Sequence, residues 1–189
     1  MQKPMKSYKK GLKIVVNDKM QRNYTYELSQ NYGKHLGEMS EALTPLHMLK
    51  CGVFSGKYLN DCKNEFPKEW YEDTKLSIEA DDSLNCFKVK SRQSLQTWKT
   101  KNWIIEPDVR GWFQWWCRYY IGRRNDAVDA KQIKRWKAFK RHVAQVEKNA
   151  IRLNRVGDPT YRSKQRQALL QWAYDPYPDV KTNIKVRCR

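Results

Sequence analysis

Residues 111–124 read "GWFQWWCRYYIGRR", and the first ten of them hold three tryptophans, two tyrosines and a phenylalanine. Asp108 just upstream is a candidate N-cap and Gly122 a natural stop, so the stretch predicts a helix ending at that glycine. On a wheel of about 100° per residue, Trp112, Phe113, Trp115, Trp116 and Tyr119 cover most of the circumference. Arg110, Gln114 and Arg118 form one narrow polar stripe between them. A helix apolar nearly all round lies at the centre of its domain, so the rings are expected to be scaffold. The fold class that follows is mostly α, a single compact helical domain of about six helices.

The stripe admits two readings. Arginines on a buried helix either pair with carboxylates, for which Asp61, Glu65 and Asp175 are candidates, or line a cleft that holds an anion. Past the helix end, Arg123 and Arg124 either complement its C-terminal dipole or extend a phosphate-binding surface.

Working outward, Thr44 as N-cap, Pro45 at the first helical position and Gly52 past the end bracket a helix in "PLHMLKC". Further helices are expected in 56–66, 68–76 and 91–103. The stretch 127–153 has the clearest period: Ile133, Trp136, Val143, Val146, Ala150 and Leu153 recur at three or four residues. Its opposite side carries Lys134, Lys137, Arg141, Lys148 and Arg152. A solvated helix face ordinarily mixes signs, so a nearly all-cationic one points to a polyanion. A last helix, 162–174, shows Arg162, Lys164 and Arg166 and is ended by Pro176. The helical core then spans 44–176, between a basic, partly ordered extension (1–43) and a basic tail (177–189).

The charge pattern agrees. The 189 residues carry 38 Lys and Arg against 20 Asp and Glu, a net charge of +18. Residues 109–172 alone hold sixteen of the basic residues and four of the acidic ones. With 13% aromatic residues this is a folded basic protein rather than a disordered basic tail. No apolar run reaches the roughly 20 residues that span a bilayer, and no signal peptide opens the chain, so no membrane association and an intracellular, nuclear or cytoplasmic or viral, setting are expected. The five scattered cysteines read as reduced thiols.

Catalytic signals are sparse. Phosphate-loop, dinucleotide-binding and serine-hydrolase motifs are absent, and neither histidines nor cysteines show ligand spacing, so no metal and no cofactor are expected. One loop, "LKCGVFSGKYLNDC" (49–62), resembles the helix-hairpin-helix element of DNA-repair glycosylases and nucleases, with Phe54 where a second turn glycine belongs. That resemblance implies Lys57 as an amine nucleophile, or Asp61 and Glu65 as acid/base carboxylates. The plainer alternative is that both carboxylates pair with the basic helices.

The strings "TPLHMLKCGVFSGKYLNDCKNEFPKEWY", "DVRGWFQWWCRYYIGRR" with "KQIKRWKAFKRHVAQVEKN", and "RSKQRQALLQWAYD" resemble a family of small basic proteins of plants, fungi, bacteria and large DNA viruses. The resemblance covers residues 44 to about 175 and implies a compact unit and no particular reaction. The expected function is nucleic-acid binding, DNA favoured, in DNA maintenance or processing. Arg110, Gln114, Arg118, Arg123 and Arg124, then Lys134, Lys137, Arg141 and Lys148, then Arg162 and Arg166 are the expected contacts. The alternatives are an enzyme acting on nucleic acid, by base excision or strand cleavage, and a structural component of a ribonucleoprotein or virion.

Overall fold

The computed structural model describes residues 7–180. Among these residues lie five α-helices: α1 (Pro45–Cys51), α2 (Leu95–Thr100), α3 (Trp112–Ile121), α4 (Asp126–Arg152) and α5 (Ser163–Gln171). They accompany one two-stranded antiparallel sheet, β1 (Lys13–Val16) with β2 (Tyr24–Glu27). The chain is mainly helical, with five α-helices in place of six. It folds as two compact units, each assembled from three stretches of chain.

The first unit comprises Met1–Glu41, Leu59–Glu72 and Ser94–Ile133. In β1 the side chains alternate, Ile14 and Val16 buried and Lys13 and Val15 exposed, the period of a strand with one covered face. Its register sets Ile14 opposite Tyr26 and Val16 opposite Tyr24. Tyr8, Leu28 and Met39 are also buried, so residues 7–41 contribute side chains to this unit's core. That corrects the reading of 1–43 as a partly ordered extension: the hairpin and the apolar residues after it bury enough side chains to be integral. Residues 1–6 of that expectation lie outside the described residues.

At the centre of this unit sits α3, where every residue but Tyr120 is buried. Its indoles keep their polar atoms satisfied: Trp112 Nε1 donates to the Gln132 carbonyl at 3.3 Å and Trp115 Nε1 to Asp129 at 2.8 Å. Gly111, and not Asp108, is the N-cap, because the Asp108 carboxylate is engaged by two arginines. Gly122 ends the helix at φ 116°. A Cβ there would meet the Gln30 carbonyl oxygen at 2.0 Å. Gly122→Ala is therefore expected to destabilise the protein by more than about 1 kcal/mol, seen as a lower denaturant midpoint. An unchanged midpoint would show that this turn relaxes freely.

The second unit comprises Ala42–Tyr58, Asp73–Gln93 and Lys134–Arg189. Here α1 forms as its sequence dictates: Thr44 Oγ1 accepts from the His47 amide at 3.2 Å, and Pro45 stands in the first turn. Its core includes Met48, Leu49, Val146, Ala150, Leu169 and Leu170. Gln167 on α5 donates to the Gly52 carbonyl and accepts from the Phe87 amide, both at 3.1 Å, which fixes α5 against the end of α1. Asp179 of the basic tail expected at 177–189 is buried in this unit, and residues 181–189 of that expectation lie outside the described residues.

Two expected helices do not form. Residues 56–66 are turns, with positive φ at Gly56 and Leu59, and 68–76 contains only the short 3-10 turn Lys68–Trp70 before left-handed Asp73. In 56–66, tertiary ion pairs of Asp61 and Glu65 prevail over modest helix propensity. The helix-hairpin-helix reading thereby loses its second helix. Cys62, Cys86 and Cys117 are thiols, whereas Cys51 is disulfide-bonded, which corrects the all-reduced reading at that position.

Candidate nucleic-acid interface

The predicted contact residues separate into two sets, one buried and one exposed. In the first unit the arginine stripe of α3 is an ion-pair network. Arg118 is 0% exposed, and all five of its N–H groups meet acceptors. Nε donates to Glu65 Oε1 at 2.6 Å, and Nη2 donates to Glu65 Oε2 at 3.1 Å and to Gln21 Oε1 at 2.8 Å. Nη1 donates to Asp108 Oδ1 at 3.0 Å and to the Pro107 carbonyl at 3.1 Å. The guanidinium also lies 4.9 Å from the Tyr24 ring centroid. Burial works against its charge, and Glu65 and Asp108 outweigh that, leaving its pKa raised.

Arg123 forks onto the same Asp108, Nη1 to Oδ1 at 2.8 Å and Nη2 to Oδ2 at 2.7 Å. Arg110 pairs with Asp18 at 2.9 Å and Asp61 at 3.0 Å. The Gln114 side-chain oxygen accepts from the Arg110 amide at 2.9 Å, inside the core. Three buried guanidiniums thus face three buried carboxylates, Asp18, Glu65 and Asp108, with Asp61 at the edge. Burial pushes the Asp18 carboxyl up, but the Met20 and Gln21 amides and Arg110 together hold it below its ordinary value.

Arg124 is structural in a different way. It donates to the carbonyls of Tyr119, Lys34 and His35 and lies 3.7 Å over the Tyr119 ring, capping the last turn of α3. In the second unit, Arg166 is fully buried in a two-point pair with Asp179, at 2.7 and 2.9 Å. Half-buried Arg162 donates to Tyr161 and Gln165. The structure therefore moves Arg110, Gln114, Arg118, Arg123, Arg124 and Arg166 from the expected binding surface into the framework, because each has a built-in acceptor set.

The suggested catalytic groups are similarly engaged. Lys57 forms an exposed ion pair with Glu79 at 2.7 Å, Asp61 is held by Arg110, and Glu65 is held by Arg118 and accepts from Tyr26 at 2.8 Å. Asp61 and Glu65 do not share a helix face, since no helix forms there. Folding does bring Asp18 to Cys62 and Glu65, more than 40 residues further along the chain, so that each of the three offers an atom within 4.8 Å of the others. That grouping is invisible to ligand-spacing patterns, but the Glu65 oxygens are committed to Arg118 and Tyr26.

The exposed set lies on α4. Lys134, Lys137, Arg141, Lys148 and Arg152 are all exposed, and their positions fall within about 60° of one another's mean direction on the helix. Ala138 and Gln145, also exposed, complete that face of the second unit, and no carboxylate lies within it: half-buried Glu147 is about 115° from the row's mean direction. The cations run for about 27 Å along the axis at a rise of about 1.5 Å per residue. Lys131 continues the row within the part of α4 that belongs to the first unit.

The opposite side of α4 carries a feature the sequence did not disclose. Trp136 and Phe139 of α4 interleave with Trp172 and Tyr174, from the end of α5 and the turn after it, as four nearly parallel rings. Trp136 stacks on Tyr174 at 4.9 Å and 4°, and Phe139 on Trp172 at 5.0 Å and 14°. Phe139 and Tyr174 join the two pairs at 6.4 Å and 20°. Among the described residues no helix is long and apolar enough to cross a membrane. No protein-family model, curated protein or solved structure matches the chain.

Proposed function

We propose that the protein binds nucleic acid, with DNA the first candidate, through the cationic face of α4. The observation that supports this reading is the row Lys134, Lys137, Arg141, Lys148 and Arg152, exposed along one side of α4 with no acidic residue on that side between Lys134 and Arg152. Such a row holds like charges close together, which costs stability unless a polyanion offsets it. The buried arginines need no such partner, since carboxylates and carbonyls already balance them, so the surface charge and not the total charge carries the proposal.

The contacts of such a row are to phosphates, which position the protein without reading sequence. A fluorescently labelled oligonucleotide titrated with the full chain tests the proposal by anisotropy. Binding is expected at low salt and should weaken by roughly a hundredfold between about 50 and 200 mM salt, as about five phosphate contacts on a single strand require. Absent binding at low salt, or binding indifferent to salt, would overturn it.

A further inference from the structure

Resting on that reading, we infer that the nucleic acid is a duplex and that α4 lies across its major groove. Lys134, Lys137 and Arg141 then meet the phosphates of one strand, and Lys148 and Arg152 those of the other. All five cations belong to the second unit and to one continuous helix, so helix geometry sets the spacing of their backbone positions.

That spacing is uneven. At a rise of about 1.5 Å per residue, Lys134 to Arg141 covers about 10.5 Å and Lys148 to Arg152 about 6 Å. Between Arg141 and Lys148 the row is interrupted for about 10.5 Å. On the same side, this interval holds Ala144 and Gln145, both exposed and neither charged. Gln145 Oε1 lies 3.3 Å from Nδ1 of His142 on its own helix. The row is therefore two cationic groups flanking a neutral gap. The gap is close to the width of the major groove of B-form DNA, about 12 Å. A groove presents the complementary alternation, with phosphates along each rim and uncharged base edges between them.

Rigidity favours the same partner. Five cations fixed along one helix are best met by phosphates that are already fixed. A duplex offers them in order, about one charge per 1.7 Å of its axis with both strands counted. A single strand gives up chain freedom to follow the row, which costs affinity. Stacking of unpaired bases on aromatic side chains is what ordinarily offsets that cost. Between Lys134 and Arg152 the cationic side has no aromatic residue, for Trp136 and Phe139 are on the opposite side, stacked on Tyr174 and Trp172.

The test titrates the full chain into one labelled strand of about 20 nucleotides, alone and annealed to its complement, at about 0.1 M salt. The duplex is expected to bind tighter by about tenfold or more. Gln145→Lys then places a cation in the gap. On a duplex that cation faces the groove, so duplex affinity should rise by no more than about twofold, whereas a single strand following the row gains a phosphate contact and binds about fivefold tighter. Gln145 is exposed, so the variant is expected to fold, and its thermal midpoint checks this. Equal affinity for the two forms, or a preference for the single strand, overturns the duplex inference and leaves the phosphate-binding reading standing. A duplex gain from Gln145→Lys as large as the single-strand gain overturns the placement across the groove. Binding to neither form at low salt overturns both readings.

Discussion

Asp108→Asn is expected to lower the stability of the protein by about 3 to 5 kcal/mol, the cost of leaving buried charge without its partner. Asp108 is 0% exposed and accepts from both Arg118 and Arg123. The amide keeps the shape of the carboxylate and loses its charge, so two buried guanidiniums remain with Glu65 as their only nearby buried counterion in this part of the network. Against a typical total stability of about 5 to 15 kcal/mol, this is a large share. Urea or thermal denaturation measures it, with Asp126→Asn on the exposed start of α4 as a comparison expected to stay within about 0.5 kcal/mol. A stable Asp108→Asn protein that had lost only its affinity for nucleic acid would instead make the arginine stripe the binding site.

Lys134→Glu, Arg141→Glu and Lys148→Glu combined are expected to have the opposite profile. All three side chains are exposed on α4, so the fold should keep its denaturation midpoint or gain slightly from reduced like-charge repulsion. Affinity for an oligonucleotide at low salt should fall by about a hundredfold or more, since three phosphate contacts are removed and three repulsions introduced. A folded triple variant that binds as wild type does would remove α4 from the interface.

These two predictions separate cations that the sequence presents as equivalent. Arg118 and Arg141 are both arginines in helices with regular spacing, and pattern alone left open whether the first was paired or faced a cleft. What decides is the arrival of Glu65, Asp108, Asp18 and Gln21 from other stretches of chain, and no local rule reports that. The α4 row was legible because its meaning lies in one helix: exposure, period and sign all follow from consecutive residues. So were α1, with Thr44 and Gly52, and the central place of α3 with its stop at Gly122.

The failures share a cause. The helix expected at 56–66 depends on propensity, which tertiary pairing of Asp61 and Glu65 overrides, and the one expected at 68–76 is broken at left-handed Asp73. The hairpin of residues 13–27 went unread within the extension because two short strands carry little local signal, and its stability comes from burying Ile14, Val16 and Tyr26. The aromatic column was read as separate apolar faces of two helices. Only the fold shows Phe139 and Trp172 stacked.

The account's central claim is that the binding charge resides on α4 and the buried arginines hold the fold. The slope of log affinity against log salt, measured for wild type and for the α4 triple variant on the same single strand, tests it most directly. Three lost phosphate contacts should make the slope shallower by about 2, at roughly 0.7 per contact. An unchanged slope in a folded triple variant would contradict the claim and return the search for the interface to the rest of the surface.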